Sequence, residues 1–271
     1  MFFKNINLQI DLVSATNYII NWLKAYLLTH QLKGFVVGIS GGIDSALVST
    51  LCAETELPVL LLNLPIRQHL LEQKRAQAHI EDLLKKYPQN MKAETINLTS
   101  ILESYEKILP TDLQTPLNMA NLRARLRMTT LYAFAGANSA VVVGTGNKIE
   151  DFGIGFFTKY GDGGVDLNPI ADLYKSEVYA MAEYLGVIPS ILEAAPTDGL
   201  FAEERTDEMQ IGASYEELEW VMRNKTDKTR PLNDREKEVL KLYQTLNSKN
   251  QHKMTSIPVC NLEEFRFPAV Q

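Results

Sequence analysis

The first half of the chain carries short, continuous apolar runs separated by longer stretches of mixed apolar and polar residues. The apolar runs occupy positions 35–37, 58–64 and 140–143, and a weaker run lies at 92–98. Runs of this length without polar alternation are typical of strands whose two faces are both covered. The pattern therefore predicts four buried strands that belong to one parallel sheet.

Helical spacing of apolar residues predicts helices between and after these strands. The segments with this spacing are 8–30, 69–86, 117–135, 173–185 and 234–247, and the chain after position 45 continues as an apolar helix. Helices that alternate with strands are typical of βαβ units. We expect an α/β fold that is Rossmann-like, with a doubly wound parallel sheet and helices on both faces.

Polar and glycine-rich segments separate the elements of the second half. Residues 151–168 contain five glycines, 194–212 have the composition of a mobile loop, 225–235 form a charged connection, and 251–271 are predicted to be irregular. We find no internal repeat. We expect a single domain over 1–271.

Composition narrows the class of protein. The 271 residues carry a formal net charge of −6 and only two cysteines, Cys52 and Cys260. The acidic balance argues against a nucleic-acid-binding protein. Two distant cysteines exclude a disulfide framework and are typical of a reducing compartment. Without a signal-peptide pattern or a sufficiently apolar window, we expect a cytoplasmic protein that does not bind a membrane.

Residues 38–45 are the strongest candidate for chemistry, with the sequence Gly-Ile-Ser-Gly-Gly-Ile-Asp-Ser. They follow the first predicted strand and precede a helix, which is the local plan of a phosphate-binding loop. The lysine of the Walker pattern is absent. A surface turn is the alternative interpretation, but S-G-G-x-D-S resembles the loop of the ATP pyrophosphatase family, which holds the leaving pyrophosphate of ATP.

A second glycine-rich turn, 144–150, follows the predicted strand at 140–143. Ligands of such sheets lie beyond the carboxyl ends of the strands, so both turns could line one crevice. Magnesium commonly takes one or two carboxylates together with substrate phosphates, and Glu150 could complete such a site with Asp44. Polar residues that merely cap a helix are the alternative.

Two further segments carry charges whose role spacing alone leaves open. Arginines alternate over 123–127 of a predicted helix, where Arg125 shares a face with Asn121 but not with the other two arginines. An arginine there could bind an anion, or the helix could present a solvated charged face. The segment 155–166 places a lysine and two aspartates among glycines and aromatic residues. This mixture suits a small-molecule pocket, although a hairpin would also explain it.

Taken together, these segments resemble the ammonia-dependent NAD synthetases. The motifs are S-G-G-I-D-S at 40–45, N-L-R-A-R-L-R-M at 121–128, G-T-G-N-K-I-E at 144–150, G-F-F-T-K-Y-G-D-G-G at 155–164, then Pro196-Thr197-Asp198 and His252-Lys253. The resemblance covers nearly the whole chain. It implies that ATP adenylates the nicotinate carboxylate of deamido-NAD, that pyrophosphate leaves, and that ammonia attacks the acyl adenylate to give NAD and AMP in the last step of NAD biosynthesis.

The resemblance also implies a role for each site residue. Those that would contact ATP are Gly38, Ile39, Ser40, Gly41, Gly42, Ile43, Asp44, Ser45, Thr145, Lys175 and Thr197. Those that would contact deamido-NAD are Asn121, Arg125, Lys159, Asp166, His252 and Lys253. Asp44 and Glu150 would hold Mg²⁺, and Asp166 is a candidate acceptor for the proton that ammonia loses. Arg123 and Arg127 would serve structure.

The chain departs from the family pattern in three ways. Met254 follows Lys253 where the family often has arginine, and residues 151–154 are one longer than in some members. We expect no glutaminase domain before the first strand, and therefore free ammonia or a separate amidotransferase as the nitrogen source.

The resemblance also implies a homodimer with the dinucleotide site at the interface. Tyr18 and Trp22 could lie either at such an interface or in the core.

Two classes of protein are alternatives to this one: another enzyme with the same loop, and a non-catalytic binding module. A tRNA thiolase or a GMP-synthetase-like ligase could share the S-G-G-x-D-S loop, but a thiolase needs reactive cysteines and a basic RNA surface. A non-catalytic nucleotide sensor would not need Asp44 and Glu150. The sequence therefore favours a ligase whose substrates are ATP, deamido-NAD and ammonia.

Overall fold

Four parallel strands form the sheet at the centre of the fold. The structure is a computed structural model and describes residues 8–196, 207–224 and 230–266. The strands are β1 (Phe35–Gly38), β2 (Val59–Asn63), β3 (Met91–Thr95) and β4 (Val141–Val143), in the spatial order β3-β2-β1-β4. In register, Phe35 lies opposite Val59 on one side and Val141 on the other. All four predicted strands are confirmed.

Helices surround this sheet in the parts of the chain that the structure describes. They are α1 (Leu12–His30), α2 (Ile43–Glu54), α3 (Leu70–Lys86), α4 (Thr99–Ile108), α5 (Pro116–Asn138), α6 (Lys175–Tyr184), α7 (Pro189–Leu192), α8 (Asp207–Ile211), α9 (Tyr215–Asn224) and α10 (Asp234–Met254). A π-helix covers Lys148–Ile154. The predicted helices are confirmed, whereas α4, α7, α8, α9 and the π-helix were not predicted. Over 8–196, 207–224 and 230–266, no helix is both long and apolar enough to cross a bilayer.

Two predictions about irregular segments are wrong in part. The stretch predicted as a mobile loop contains α8, in which Asp207 and Ile211 are buried. The predicted irregular tail begins too early, because α10 continues to Met254. In both places a polar composition concealed a helix that buries only a few side chains. Within the predicted loop, the segment 197–206, which includes Thr197, lies outside the described residues.

Successive side chains of a strand lie in two different hydrophobic cores. Phe35 and Val37 of β1 pack with α1, α2, α3 and α6, whereas Val36 between them packs with residues of α4 and α5. β4 divides in the same way, with Val142 alone on the α5 side. Since alternate residues of a strand face opposite sides, helices cover both faces of the sheet. The predicted doubly wound α/β arrangement is confirmed.

The order of the strands fixes where a ligand can enter. β2 and β3 lie on one side of β1, and β4 lies on the other. The connections that leave β1 and β4 therefore diverge, and a crevice opens between the carboxyl ends of these two strands. The loop 38–45 and the turn 144–147 both begin at that crevice.

A third, smaller core holds the π-helix beside the crevice. Ile149 and Ile154 of the π-helix pack with Tyr215 and Leu218 of α9 and with Tyr243 of α10. The backbone N–H of the following residue, Gly155, donates to the carbonyl of Glu150, which is the wide turn of a π-helix. The longer segment noted at 151–154 is thus wound into a helix and buried on one side.

A buried histidine links α2 and α3. Nε2 of His79 lies 2.9 Å from Oγ of Ser49, and neither residue is exposed to solvent. Burial lowers the pKa of His79 from 6.5 to about 4. The ring is therefore neutral near pH 7, and the folded protein resists its protonation.

We expect this histidine to make the protein acid-labile. The unfolded chain binds a proton near pH 6.5 and the folded chain only near pH 4, so this contribution is complete above pH 6.5 and is lost as the pH falls. The loss by pH 4 is about 3 kcal/mol. Urea unfolding of wild type and His79→Gln from pH 7 to 4.5 should show a flatter pH dependence for the variant. The exposed control His30→Gln should keep the wild-type slope, and a wild-type slope in His79→Gln would contradict the assignment.

Candidate active site

The loop between β1 and α2 is shaped by its own glycines and serines. Gly41 has φ +87°, and a Cβ there would come within 2.5 Å of the Glu72 carbonyl in α3. Oγ of Ser45 donates to the Gly42 carbonyl at 3.0 Å and accepts from the Ser40 backbone N–H. The hydroxyl groups thus close the loop on itself. The first turn of α2, whose backbone N–H groups have no helical partners, lines the crevice.

The turn after β4 is joined directly to this loop. Oδ1 of Asn147 accepts from the backbone N–H groups of Ile149 and Glu150, which caps the π-helix. Nδ2 of the same side chain donates to Oδ1 of Asp44 at 3.1 Å. One side-chain amide therefore links the two glycine-rich turns. The sequence predicted that the turns meet, but not which residue connects them.

Both turns line one cavity of about 260 Å³. Of the predicted ATP-binding residues, the described ones all line it: Gly38, Ile39, Ser40, Gly41, Gly42, Ile43, Asp44, Ser45, Thr145 and Lys175. The cavity also includes residues that sequence reasoning did not single out, among them Gln68, Arg75 and Asp151. The prediction of one shared crevice agrees with this geometry.

A buried ion cluster lies at the centre of the cavity wall. Nζ of Lys175 is 2.7 Å from Oδ2 of Asp44 and 3.0 Å from Oε1 of Glu150, and the lysine is 1% exposed. Burial alone would lower the pKa of Lys175, but the two carboxylates raise it well above its ordinary value. For Glu150, burial would raise the pKa, but Lys175 and the Tyr215 hydroxyl, which donates to Oε1 at 2.6 Å, hold it below its ordinary value. Glu150 and Lys175 are therefore both charged near neutral pH.

Asp151 is a further acid of this wall. Its Oδ2 lies 2.5 Å from Nδ2 of Asn168, and a Cβ at Gly146 would come within 2.2 Å of the same carboxylate. Glycine at 146 is thus what allows Asp151 to occupy this place. Burial, with the charges of Glu150 and Asp162 nearby, raises the pKa of Asp151 to about 8.

The donor set suits a magnesium ion that arrives with ATP. The acidic residues that line the cavity are Asp44, Glu72, Glu150, Asp151, Asp162 and Asp207, against the cations Arg75, Arg127 and Lys175. A polyphosphate entering such an acidic cavity needs additional positive charge. Within the described ranges no group of three or more His, Cys, Asp or Glu side chains forms a metal cage.

The residues predicted to bind deamido-NAD gather around the loop 155–161, except for one. Asn121 accepts from the Thr158 hydroxyl at 2.7 Å, and Nη2 of Arg125 donates to the Lys159 carbonyl at 3.3 Å, so these two residues do share a helix face. Nζ of Lys159 donates to the His252 carbonyl at 2.6 Å. Nζ of Lys253 donates to the carbonyl of Phe157, which precedes Thr158, at 2.7 Å.

Asp166 lies apart from this group. It is not part of the lining of the 260 Å³ cavity, and neither are Asn121, Arg125, Lys159, His252 and Lys253. Its Oδ1 accepts from the Tyr132 hydroxyl at 2.9 Å, and its Oδ2 accepts from the Val142 backbone N–H at 2.8 Å. The carboxylate thereby ties the chain after the glycine-rich segment to β4. Its role towards substrate or ammonia stays a prediction.

The sequence did not indicate how three residues, Arg127, Tyr215 and Asn147, contribute to the site. Arg127, expected to serve structure, donates from Nε to the Leu64 carbonyl at 3.0 Å and also lines the cavity. Tyr215 lies 65 positions after Glu150, so no local motif joins them. Asn147 stood inside the motif 144–150, but its contact with Asp44 depends on the fold.

The family is decided by comparison with known proteins. The model of the NAD synthase family matches residues 15–257 of the chain. The chain belongs to the NAD synthase family. Its relatives include the ammonia-dependent NAD synthetase of Methanococcoides burtonii, 43% identical over 214 residues that cover 78% of this chain and 79% of the relative. That of Alkaliphilus metalliredigens is 37% identical over 264 residues, covering 93% and 100%. These relatives confirm the predicted ligase class and its use of ammonia.

Solved structures agree with this assignment. The NMN synthetase of Francisella tularensis superposes with a TM-score of 0.83 at 30% identity, covering 94% of this chain and 100% of that one. The ammonia-dependent NAD synthetase of Campylobacter jejuni, solved with nitrate, gives a TM-score of 0.74 at 28% identity, covering 93% and 100%. The Rossmann-like fold of the NAD synthase family is thereby confirmed for this chain.

Removing the central cation should destabilise the fold more than removing a surface cation. In Lys175→Met two partly buried carboxylates lose a buried partner. Breaking a fully buried pair costs about 3–5 kcal/mol, which is the upper bound expected here. Lys148→Met is the control, because Lys148 pairs with Asp172, which is almost fully exposed, and such a pair is worth about 1 kcal/mol or less. Urea unfolding at pH 7.5 measures both losses. Equal losses in the two variants would show that Lys175 does not compensate the acids.

Proposed function

We propose that this protein amidates the nicotinate carboxylate of deamido-NAD with ammonia at the expense of ATP, giving NAD, AMP and pyrophosphate. The observation that carries the proposal is the single cavity formed by the loop 38–45 and the turn 144–150, with Asp44, Glu150 and Lys175 in direct contact. Such a cavity provides phosphate-binding amides and metal-binding carboxylates in one place. The similarity to ammonia-dependent NAD synthetases indicates that deamido-NAD is the acid to be activated.

Mechanistically, the first step needs charge stabilisation rather than a nucleophilic side chain. An oxygen of the nicotinate carboxylate attacks the α-phosphorus of ATP, the bond between that phosphorus and the bridging oxygen breaks, and the electron pair leaves with pyrophosphate. Backbone N–H groups at the start of α2 bind the phosphate oxygens on which this charge develops. Asp44 and Glu150 would hold Mg²⁺, which when bound neutralises phosphate charge.

The second step is the attack of ammonia on the acyl carbon, after which AMP departs and the nitrogen loses a proton. The loop 155–161 would place the dinucleotide for this attack, with Asn121 and Arg125 on one side and His252 and Lys253 on the other. Holding two large anions in one geometry lowers the barrier by itself. Asp166 remains our candidate proton acceptor, because ammonia must lose a proton and the family resemblance assigns this carboxylate to the deamido-NAD site.

We extend the proposal to assembly and compartment. Tyr18 is 72% and Trp22 is 38% exposed, so the chain by itself does not bury them in its core. Exposed aromatic side chains on α1 support a homodimer interface that includes this helix. The two unpaired cysteines support a cytoplasmic location.

A second candidate substrate is nicotinate mononucleotide. The structural comparison with the Francisella tularensis NMN synthetase gives a higher TM-score than that with the Campylobacter jejuni NAD synthetase. The chemistry would be the same, because both acids carry the nicotinate carboxylate and differ in the adenylate half.

Steady-state rates with each acid, at saturating ATP, Mg²⁺ and ammonium, decide between them. We expect a kcat/KM for deamido-NAD at least tenfold higher, and the reverse order would replace it as the substrate.

Asp44→Asn should abolish adenylation while leaving the fold intact. The substitution keeps the shape of the side chain but removes the charge on which Mg²⁺ and Lys175 both depend. Pyrophosphate release with ATP, Mg²⁺ and deamido-NAD should fall by at least 100-fold, and circular dichroism should be unchanged. Asp172→Asn, which changes an exposed acid, is the control. Turnover near the wild-type rate in Asp44→Asn would exclude this residue as the metal ligand.

A further inference from the structure

Arg75 lies beside the phosphate-binding loop although no motif pointed to it. It stands on α3, and its Nε donates to the Gly41 carbonyl at 3.2 Å. The first turn of α3 packs tightly on the loop, since the Glu72 carbonyl is the atom that a Cβ at Gly41 would meet. The guanidinium of Arg75 is therefore held at the glycine turn by its helix and by one hydrogen bond.

The other cations of the cavity are already engaged with protein groups. Lys175 lies between Asp44 and Glu150, and Arg127 donates to the Leu64 carbonyl and to the side chain of Gln68. For Arg75 the described parts of the chain provide a partner only for Nε. Both of its NH₂ groups remain available to a ligand, and a guanidinium presents them as a planar fork that matches phosphate oxygens.

We propose that Arg75 binds the terminal phosphates of ATP and holds pyrophosphate as it leaves. This rests on the proposed function, because it assigns a residue to the phosphate end of that same site. Lys175 and Arg127, the other cations among the described lining residues, are engaged with protein groups, and the loop has no Walker lysine. A fixed cation at Gly41 therefore supplies charge where the leaving group gains it. Arg75 thereby contacts the substrate, whereas Gly41 and Glu72 only position it.

The role predicts a selective loss in Arg75→Gln. Binding of a non-hydrolysable ATP analogue, measured by calorimetry with Mg²⁺, should weaken about 10- to 100-fold, as expected when a hydrogen bond to a charged group is lost. Binding of AMP should be unchanged, because AMP lacks the terminal phosphates. In turnover, the KM for ATP and the inhibition constant of pyrophosphate should rise together, while the KM for deamido-NAD stays the same.

Two matched variants separate this role from a structural one. Lys74→Gln removes an exposed charge from the same helix and should leave every constant at its wild-type value. Arg75→Lys keeps the charge but loses the fork, and should lie between wild type and Arg75→Gln. If Arg75→Gln does not fold, Arg75→Lys carries the test by itself through the same contrast between the ATP analogue and AMP.

The outcomes distinguish failure of this inference from failure of the proposed function. Equal weakening of the ATP analogue and AMP, or wild-type pyrophosphate inhibition in a folded Arg75→Gln, would overturn the role of Arg75. If the wild-type protein forms no AMP with deamido-NAD and ammonium, the proposed function fails. The contrast in analogue binding would still report whether Arg75 contacts the terminal phosphates.

Discussion

The contact of Lys175 with Asp44 and Glu150 is the interaction on which the site depends. It joins three elements, since the lysine begins α6, Asp44 lies in the first turn of α2, and Glu150 belongs to the π-helix. Two carboxylates this close together in a buried wall repel each other and lose hydration. The nearly inaccessible ammonium opposes both effects. It holds the pKa of Glu150 below its ordinary value, whereas burial still raises the pKa of Asp44. A fold that brings these two acids together therefore also has to bring the lysine.

The position of this cluster follows from the topology of the sheet. β1 and β4 are neighbours although more than 100 residues separate them, and their carboxyl ends open on the same crevice. Asn147 spans that crevice by capping the π-helix with its oxygen and donating to Asp44 with its nitrogen. Since each strand end brings one loop, the parallel order of the sheet assembles the site without any long insertion.

Much of this arrangement could be predicted, for reasons that particular residues make clear. The strands were predicted because Val36, Val37, Val142 and their neighbours are buried on both faces and so form unbroken apolar runs. Helix geometry likewise placed Asn121 and Arg125 on one face. The short helices α4 and α9 were missed because each is only ten residues long, although both are amphipathic.

The contacts that complete the site could not be predicted from spacing. Tyr215 reaches Glu150 from α9, and Arg75 reaches Gly41 from α3, in each case across more than 30 positions of sequence. The π-helix was hidden because its wide turn matches neither the period of an α-helix nor that of a strand. The family resemblance supplied residues of the ligand sites, whereas the protein groups that hold those residues in place follow only from the packed fold.

The C-terminal helix α10 physically connects the two halves of the proposed reaction. Val239 and Tyr243 pack against the π-helix that carries Glu150. Further along the same helix, Asn247 donates to the Gly153 carbonyl and Lys253 to the carbonyl of Phe157. The helix therefore sets both the position of Glu150, the proposed metal ligand, and that of the loop proposed to hold the dinucleotide. Because Asn247 and Lys253 donate to backbone carbonyls, a displacement of α10 would shift the π-helix and the loop 155–161 together. The proposed binding of the acid therefore depends on α10 as well as on the loop 38–45.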